Sequence, residues 1–121
     1  MQSHKGLNVW KMAIDYAVDV YTVTRGYPKD ELFAMVSQMR RAASSISMNI
    51  AEGYGRGTDK EIIHFLYIAA GSASESDTQL ILSLRLGYID IECYEKLSTQ
   101  VEVIRKMLNS LITSIKKKQP N

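Results

Sequence analysis

The chain has 121 residues, of which 45% are hydrophobic and 23% charged, and its net charge at pH 7 is +2. These values are ordinary for a folded domain, and no apolar run approaches the 18 or so residues of a transmembrane helix. The single cysteine, Cys93, cannot build a disulfide framework and suits a reducing compartment. The sequence therefore predicts one cytoplasmic domain over residues 1–121, with no membrane association.

The first helix is predicted over residues 7–24. Its apolar residues recur at intervals of three and four, which is the spacing of one helix face: Val9, Met12, Ala13, Tyr16, Val20 and Val23. Gly26 and Pro28 follow, and we expect the glycine to permit a left-handed stop and the proline to begin the next element.

The second helix is predicted over residues 30–54 and carries a heptad-like seam. The seam residues are Leu32, Val36, Met39, Ala43, Ile46 and Ile50. Gly53, Gly55 and Gly57 are expected to terminate this helix. Thr58 and Glu61 then have the spacing of a capping box, in which the hydroxyl accepts a free amide and the carboxylate reaches back.

The third helix is predicted over residues 59–86 and the fourth over residues 91–116. The third repeats the seam and is closed by Gly87, while the fourth begins after Asp90 as N-cap. The fourth has the cleanest stripe of the chain, namely Tyr94, Leu97, Val101, Ile104, Leu108, Leu111 and Ile115. A basic tail, residues 117–121, is expected to fray.

Four segments of similar length joined by short connections favour one architecture. Helices of about 30–40 Å linked by about five residues or fewer place sequence neighbours antiparallel. The sequence therefore predicts an all-α, antiparallel, up-down-up-down four-helix bundle.

A second apolar face on the third helix predicts self-association. Ile68, Leu82 and Leu86 lie opposite the seam, Gly71 shares their face, and the second helix offers Met48 on its own outer side. Contiguous apolar surface more often marks a protein interface than a solvent face. We therefore expect an oligomer with Ile68, Gly71, Leu82, Leu86 and Met48 at its interface; scattered surface aliphatics are the alternative.

The sequence contains few combinations of residues that could form a catalytic or metal site. Glu61 and His64 match the Glu-x-x-His pair of di-iron bundles, but such a site needs a second pair and the only other histidine is His4. Glu52 and Glu75 offer an acid and a base only if they meet, and hydrogen-bonding roles within the fold are the favoured interpretation. The sequence predicts no catalytic residue, no metal site and no cofactor.

Basic residues are spread over three predicted helices and one loop. They are Arg40, Arg41, Arg56, Arg85, Arg105 and Lys106. Nothing among them reads bases, so their candidate role is sequence-independent attraction of RNA or DNA phosphates, and a solvated charged surface is the alternative. The glycine-rich stretch before the third helix lacks the ending of a phosphate loop and is interpreted as a turn.

Three blocks of the sequence resemble a known family. The blocks are residues 38–46, the run Asn49-Ile50-Ala51-Glu52-Gly53, and residues 70–75. They resemble the four-helix-bundle proteins encoded in intervening sequences of bacterial 23S rRNA genes, whose relatives include the accessory variability determinant protein of diversity-generating retroelements. The resemblance implies a homopentameric barrel without catalytic residues. It also implies that Asn49, Glu52 and Glu75 are structural or intersubunit polar positions.

The resulting hypothesis is a non-enzymatic, homo-oligomeric bundle that acts as a scaffold or accessory factor and contacts RNA or DNA through basic residues. The competing hypothesis is a protein–protein interaction adaptor without a nucleic-acid role. The near-zero charge of most of the chain favours the adaptor.

Overall fold

The structure, a computed structural model, describes residues 3–118, and that part of the chain contains helices and no strand. The four long helices are α1 (Asn8–Thr24), α2 (Ser37–Arg56), α3 (Asp59–Arg85) and α4 (Ile91–Lys118). Shorter turns precede α1 and α2: 3-10 turns over His4–Gly6 and Lys29–Glu31, and a π-helical turn over Leu32–Val36.

Each long helix packs against two others. α1 contacts α2 and α4, and α3 contacts α2 and α4. Two residues connect α2 to α3 and five connect α3 to α4, whereas the connection from α1 to α2 has twelve residues, most of them in the 3-10 and π-helical turns, and is longer than predicted. Consecutive helices pack side by side, so the predicted all-α up-down-up-down bundle is confirmed. No helix in residues 3–118 combines the length and the apolarity that crossing a lipid bilayer requires.

The core lies along the bundle axis and is built from the seams of the four helices. Its largest fully buried side chains are Tyr16, Val20, Met39, Ile46, Ile50, Leu66, Leu80, Leu97, Val101, Ile104 and Leu108. All of these follow the three-and-four spacing of amphipathic helices. Burial of these side chains supplies the main driving force for folding.

Local residues set the helix boundaries around α3. The Thr58 hydroxyl accepts the Glu61 amide at 3.2 Å, and the Asp90 carboxylate accepts the Cys93 amide at 2.8 Å, so both act as N-caps. Gly57 and Gly87 have φ of 85° and 78°, the left-handed conformation that suits glycine at a helix end.

The end of α1 differs from the prediction. Gly26 does not adopt a left-handed conformation, because Gly57 and Gly87 are the glycines with positive φ among the described residues. Instead the Gly26 amide donates to the Val23 carbonyl at 3.2 Å, and the Tyr27 amide donates to the Thr24 carbonyl at 3.1 Å. Tight backbone turns therefore end this helix without a glycine switch.

The start of α2 also differs from the prediction. The chain enters through the π-helical turn, so α2 proper begins at Ser37, and Leu32 is exposed although it was expected on the seam. A π turn holds more residues than an α turn, which rotates side chains before it away from the face that follows. The seam of α2 thus begins at Val36, which is buried.

Gly53 and Gly55 do not terminate α2, which continues to Arg56. Gly53 is buried against α3: a methyl group there would lie 2.9 Å from the Phe65 Cβ and 3.2 Å from the Ile62 Cα. The glycine therefore lets the two helices approach more closely than alanine would allow. At the other end of the chain, helix α4 extends to Lys118, so Lys117 and Lys118 are helical, and residues 119–121 lie outside the described residues.

The substitution Gly53→Ala tests this close approach. We expect it to lower the free energy of unfolding by about 1–3 kcal/mol, because the added methyl group meets atoms near the α3 backbone that cannot simply rotate away. Chemical denaturation measures the change.

Gly55→Ala is the matched control, two residues further along the same helix. No atom lies within 4 Å of an added methyl group there, so the higher helix propensity of alanine should raise stability by up to about 1 kcal/mol. Equal effects of the two substitutions would contradict the close packing of α2 on α3.

Candidate interaction surfaces

A groove runs between the outer sides of α1 and α2. Trp10, Ile14, Val18 and Tyr21 of α1 form one wall, and Met48 of α2 forms the other. Its floor is made of small side chains, namely Ala17, Ser44, Ser47 and Ala51. The hollow has a volume of about 530 Å³, and Val18 and Met48 on its walls are 58% and 66% exposed. We call this hollow the α1/α2 groove.

The α1/α2 groove continues toward the start of α2. A second hollow of about 570 Å³ shares Tyr21, Ser44 and Met48 with it and ends at Leu32 and Phe33. Phe33 stands on the π-helical turn and is 93% exposed. The exposure of Phe33 could have been predicted from its position, which is one residue after Leu32 and off the predicted seam.

A second apolar surface lies along the outer side of α3. We define the α3 outer stripe as Ile68, Gly71, Glu75, Leu82 and Leu86. Ile68 and Leu82 are 40% and 46% exposed, and nothing lies within 4 Å of a Cβ placed on Gly71. The five residues predicted at an oligomer interface, Met48 included, are thus all exposed on the isolated subunit.

Polar side chains join α2 and α3 between these two surfaces. The Ser45 and Ser72 hydroxyls are 3.0 Å apart and share a hydrogen bond. The Asn49 amide donates to the Ser45 carbonyl and hydroxyl oxygens, both at 2.8 Å. Asn49 therefore has a structural contact within α2, one turn away from the serine bridge to α3.

Glu52 and Glu75 do not form a carboxylate pair. From the Ser45–Ser72 bridge they lie in opposite directions along antiparallel helices, about 15 Å apart along the bundle axis at 1.5 Å per residue. Glu52 accepts a hydrogen bond from Arg56 at 2.8 Å, while Glu75 is exposed and has no ionic partner among the described residues. The arrangement gives no acid and base within reach of one substrate atom.

The six predicted basic residues fall into two groups, of which the first is engaged within the subunit. Arg56 pairs with Glu52 and its guanidinium lies 5.2 Å from the centre of the Phe65 ring. Arg105 and Lys106 both pair with Glu102, at 3.2 Å and 3.9 Å.

Arg40 belongs to the same engaged group and closes the end of α1. Its Nε donates to the Thr24 hydroxyl at 3.0 Å, and a terminal nitrogen donates to the Tyr21 carbonyl at 3.4 Å. The guanidinium also lies 4.7 Å from the centre of the Tyr21 ring. A cation at the carbonyl end of a helix interacts favourably with the helix dipole, so Arg40 has a structural role.

Arg41 and Arg85 form the second group. Both are exposed, and neither guanidinium makes a hydrogen bond or ion pair within residues 3–118. Because α2 and α3 are antiparallel, both arginines lie in the half of the bundle where α2 begins and α3 ends. These are the predicted basic residues whose charge the subunit leaves available.

Cys93 and Tyr88 are two titratable groups whose pKa values are raised by their surroundings. Burial raises the pKa of the Cys93 thiol, which lowers its thiolate fraction. The Tyr88 hydroxyl donates to the Glu31 carboxylate at 2.6 Å, and this bond raises the pKa of Tyr88 to about 12. Within residues 3–118 no three histidine, cysteine, aspartate or glutamate side chains group together as metal ligands, and His64 is exposed beside Phe65.

These features define an up-and-down four-helix bundle with two exposed apolar surfaces, the α1/α2 groove and the α3 outer stripe. A profile of the 23S rRNA-intervening sequence protein family matches residues 5–110, and the chain belongs to this family. No curated protein matches the chain significantly in sequence.

A crystal structure from Bacteroides thetaiotaomicron VPI-5482 is similar to this fold. It is described as a protein with unknown function from the S23 ribosomal protein family. The two chains are 30% identical and superpose with a TM-score of 0.78, and the match covers 86% of this chain and 97% of that one. The likeness supports the fold and the family, and its description carries no activity.

Two neighbouring arginines test the division of the basic residues. Arg40→Ala should lower the free energy of unfolding by about 1–2 kcal/mol, because the Tyr21 carbonyl and the Thr24 hydroxyl lose a charged donor. Arg41→Ala, at the next position and without such contacts, should change stability by no more than about 0.5 kcal/mol. Denaturant unfolding of both variants decides the matter, and comparable losses would contradict the assignment.

Proposed function

We propose that this protein is a non-enzymatic, homo-oligomeric scaffold or accessory factor of the cytoplasm that binds RNA or DNA without sequence preference. The observation that carries the proposal is the exposed apolar surface on α1, α2 and α3 of one subunit. The pentamer implied by the family resemblance is the assembly we propose. A lone free thiol, Cys93, agrees with a reducing compartment.

Assembly follows from the extent of the exposed surface. Ile14, Val18 and Met48 line the α1/α2 groove, while Ile68 and Leu82 lie on the α3 outer stripe. Large exposed apolar patches rimmed by polar groups are typical of protein interaction sites. Covering such patches with further copies removes apolar surface from water, which stabilises the assembly.

Phosphate binding is supported by the arginines that the subunit leaves unpaired. Arg41 and Arg85 are exposed in the same half of the bundle, and a symmetric assembly repeats that pair in every copy. The charge of +2 per chain is small, but several copies around one axis add their fields. Such contacts act on the nucleic-acid backbone and do not read bases.

Light scattering tests the assembly. We expect a molar mass near five times the 13.7 kDa of one chain at both low and high salt, because burial of apolar surface does not weaken with ionic strength as charge pairing does. A mass of 13.7 kDa under both conditions would refute the homo-oligomer.

Filter binding of mixed RNA and DNA fragments tests phosphate contact. Arg41→Glu combined with Arg85→Glu should weaken binding at low salt by about tenfold or more, and should reduce the dependence of log affinity on log salt concentration. The molar mass of the same samples shows whether assembly is retained.

Lys11→Glu combined with Lys60→Glu is the matched control for charge. Both lysines are exposed in the other half of the bundle, and this variant changes the net charge by the same amount. An equal loss in the two double variants would assign binding to net charge alone, and no loss in the arginine variant would refute the proposed contacts.

A protein-interaction adaptor is the second candidate function. It is favoured by the engagement of Arg40, Arg56, Arg105 and Lys106 within the subunit, which leaves few free basic groups. An assembled protein that does not bind nucleic acid at low salt but retains one defined partner at high salt supports this function. Nucleic-acid binding that is lost in the arginine double variant and kept in the lysine control contradicts this second function.

A further inference from the structure

We infer that the α3 outer stripe of one copy docks into the α1/α2 groove of a second copy of this chain. Each subunit then uses two different surfaces, one to insert a helix face and one to receive it. The inference rests on the proposed homo-oligomer and specifies which surfaces form it.

The groove and the stripe match in length and shape. The groove runs along α1 from Trp10 to Thr22, about 18 Å, and the stripe from Ile68 to Leu82 covers about 21 Å of α3. The small floor residues leave room for side chains that project from an inserted helix. Binding of a helix face in an apolar groove is a recurrent mode of protein recognition.

Gly71 gives the stripe a centre where a neighbouring backbone can approach closely. A glycine inside a helix lowers stability by about 0.5–1 kcal/mol relative to alanine. Within the subunit no atom lies within 4 Å of the position of its missing Cβ, so the fold of one chain does not require glycine there. Entry of α3 into the groove of a second copy supplies the close contact that the isolated subunit lacks.

The charges favour the pairing of unlike surfaces over the pairing of like ones. Glu75 lies on the stripe without an ionic partner among the described residues, while Arg25 and Arg41 border the groove and its continuation, also unpaired within residues 3–118. A stripe against a stripe brings two copies of Glu75 together, and a groove against a groove brings arginines together. Docking of the α3 outer stripe into the α1/α2 groove brings Glu75 of one copy close to the arginines of the other.

The position of the two surfaces favours a closed assembly. They lie on neighbouring sides of the bundle, with the Ser45–Ser72 hydrogen bond between them. A contact between unlike surfaces repeats with a constant rotation and gives a ring when that rotation closes. Because the two surfaces lie on neighbouring sides, each copy is rotated by a large angle relative to the one before it. A large rotation favours a small ring over an extended filament.

Two complementary variants test the inference. Val18→Lys with Met48→Lys blocks the groove, and Ile68→Lys with Leu82→Lys blocks the stripe, because each pair places two charges in an apolar contact that would exclude them from water. The two blocked surfaces carry like charges, so they repel each other and do not re-form the contact when the variants are mixed. All four positions are exposed, so helix content and unfolding midpoint by circular dichroism should stay near those of the parent chain.

The masses of the separate and mixed variants give the decisive result. Each variant alone should have the mass of one chain, 13.7 kDa, and an equimolar mixture should contain a species of two chains and nothing larger. The mixed pair has one intact groove and one intact stripe that can meet, so assembly stops there.

Cysteine pairs provide a second measurement for a contact too weak to persist in the mixed variants. In a Cys93→Ser background, a chain with Glu75→Cys and a chain with Arg41→Cys, the two positions whose charges the docked contact brings together, should form a covalent two-chain product when mixed under mild oxidation. Either chain alone should form little of it.

Four outcomes would overturn the inference while leaving a homo-oligomer standing. The first is full assembly of either blocked variant, and the second is dimerisation of the groove-blocked variant by itself. The third is preferred crosslinking of Glu75→Cys chains to one another, and the fourth is absence of both the two-chain species and the mixed crosslink. A parent chain that is monomeric would instead refute the proposed function, so the two failures are distinguishable.

Discussion

The close contact between α2 and α3 is the constraint on which the rest of the structure depends. Gly53 removes the side chain that would collide with Phe65 and Ile62, and Ser45 and Ser72 hydrogen-bond further along the same contact. Ala43, Ala69 and Ala73 of the same two helices are fully buried. Apolar side chains on the outer sides of both helices, such as Met48 and Ile68, remain exposed on the subunit.

That constraint connects the fold to the surface. Met48 and Ile68 project outward from the two closely packed helices, and neither is fully covered by the rest of the subunit. The exposed apolar area therefore results from the same arrangement of small and large residues that builds the bundle, which is why it runs in stripes along helices.

The architecture could be predicted from sequence, because the three-and-four spacing of apolar residues repeats without interruption in four segments. The N-caps Thr58 and Asp90 could be predicted as well, because capping depends on side chains within one helical turn. The end of α1 and the start of α2 could not. Tight backbone turns end α1, and Arg40, which contacts that end, lies sixteen residues along the chain from Thr24. The start of α2 is a π-helical turn that no spacing rule in the sequence marks.

The candidate site shows the same division. The exposure of Ile68, Leu82 and Leu86 follows from helix periodicity, so it could be predicted. The sequence could not predict which arginines are free, since Arg40 and Arg41 are adjacent in sequence and differ only in what surrounds them in the fold. The requirement for glycine at position 53 likewise could not be predicted, because it arises only from the packing of α3 against α2.

In the proposed assembly, Arg41 is the residue that would contact both a neighbouring subunit and nucleic-acid phosphate. If the α3 outer stripe of a neighbour brings Glu75 to it, part of its charge is neutralised, and Arg85 carries more of the attraction for phosphate. An arginine shared in this way makes the two activities compete, because a phosphate and a carboxylate cannot both occupy its donors fully. High salt weakens both charge contacts but leaves the apolar contact of stripe and groove, so the assembly should outlast nucleic-acid binding as ionic strength rises.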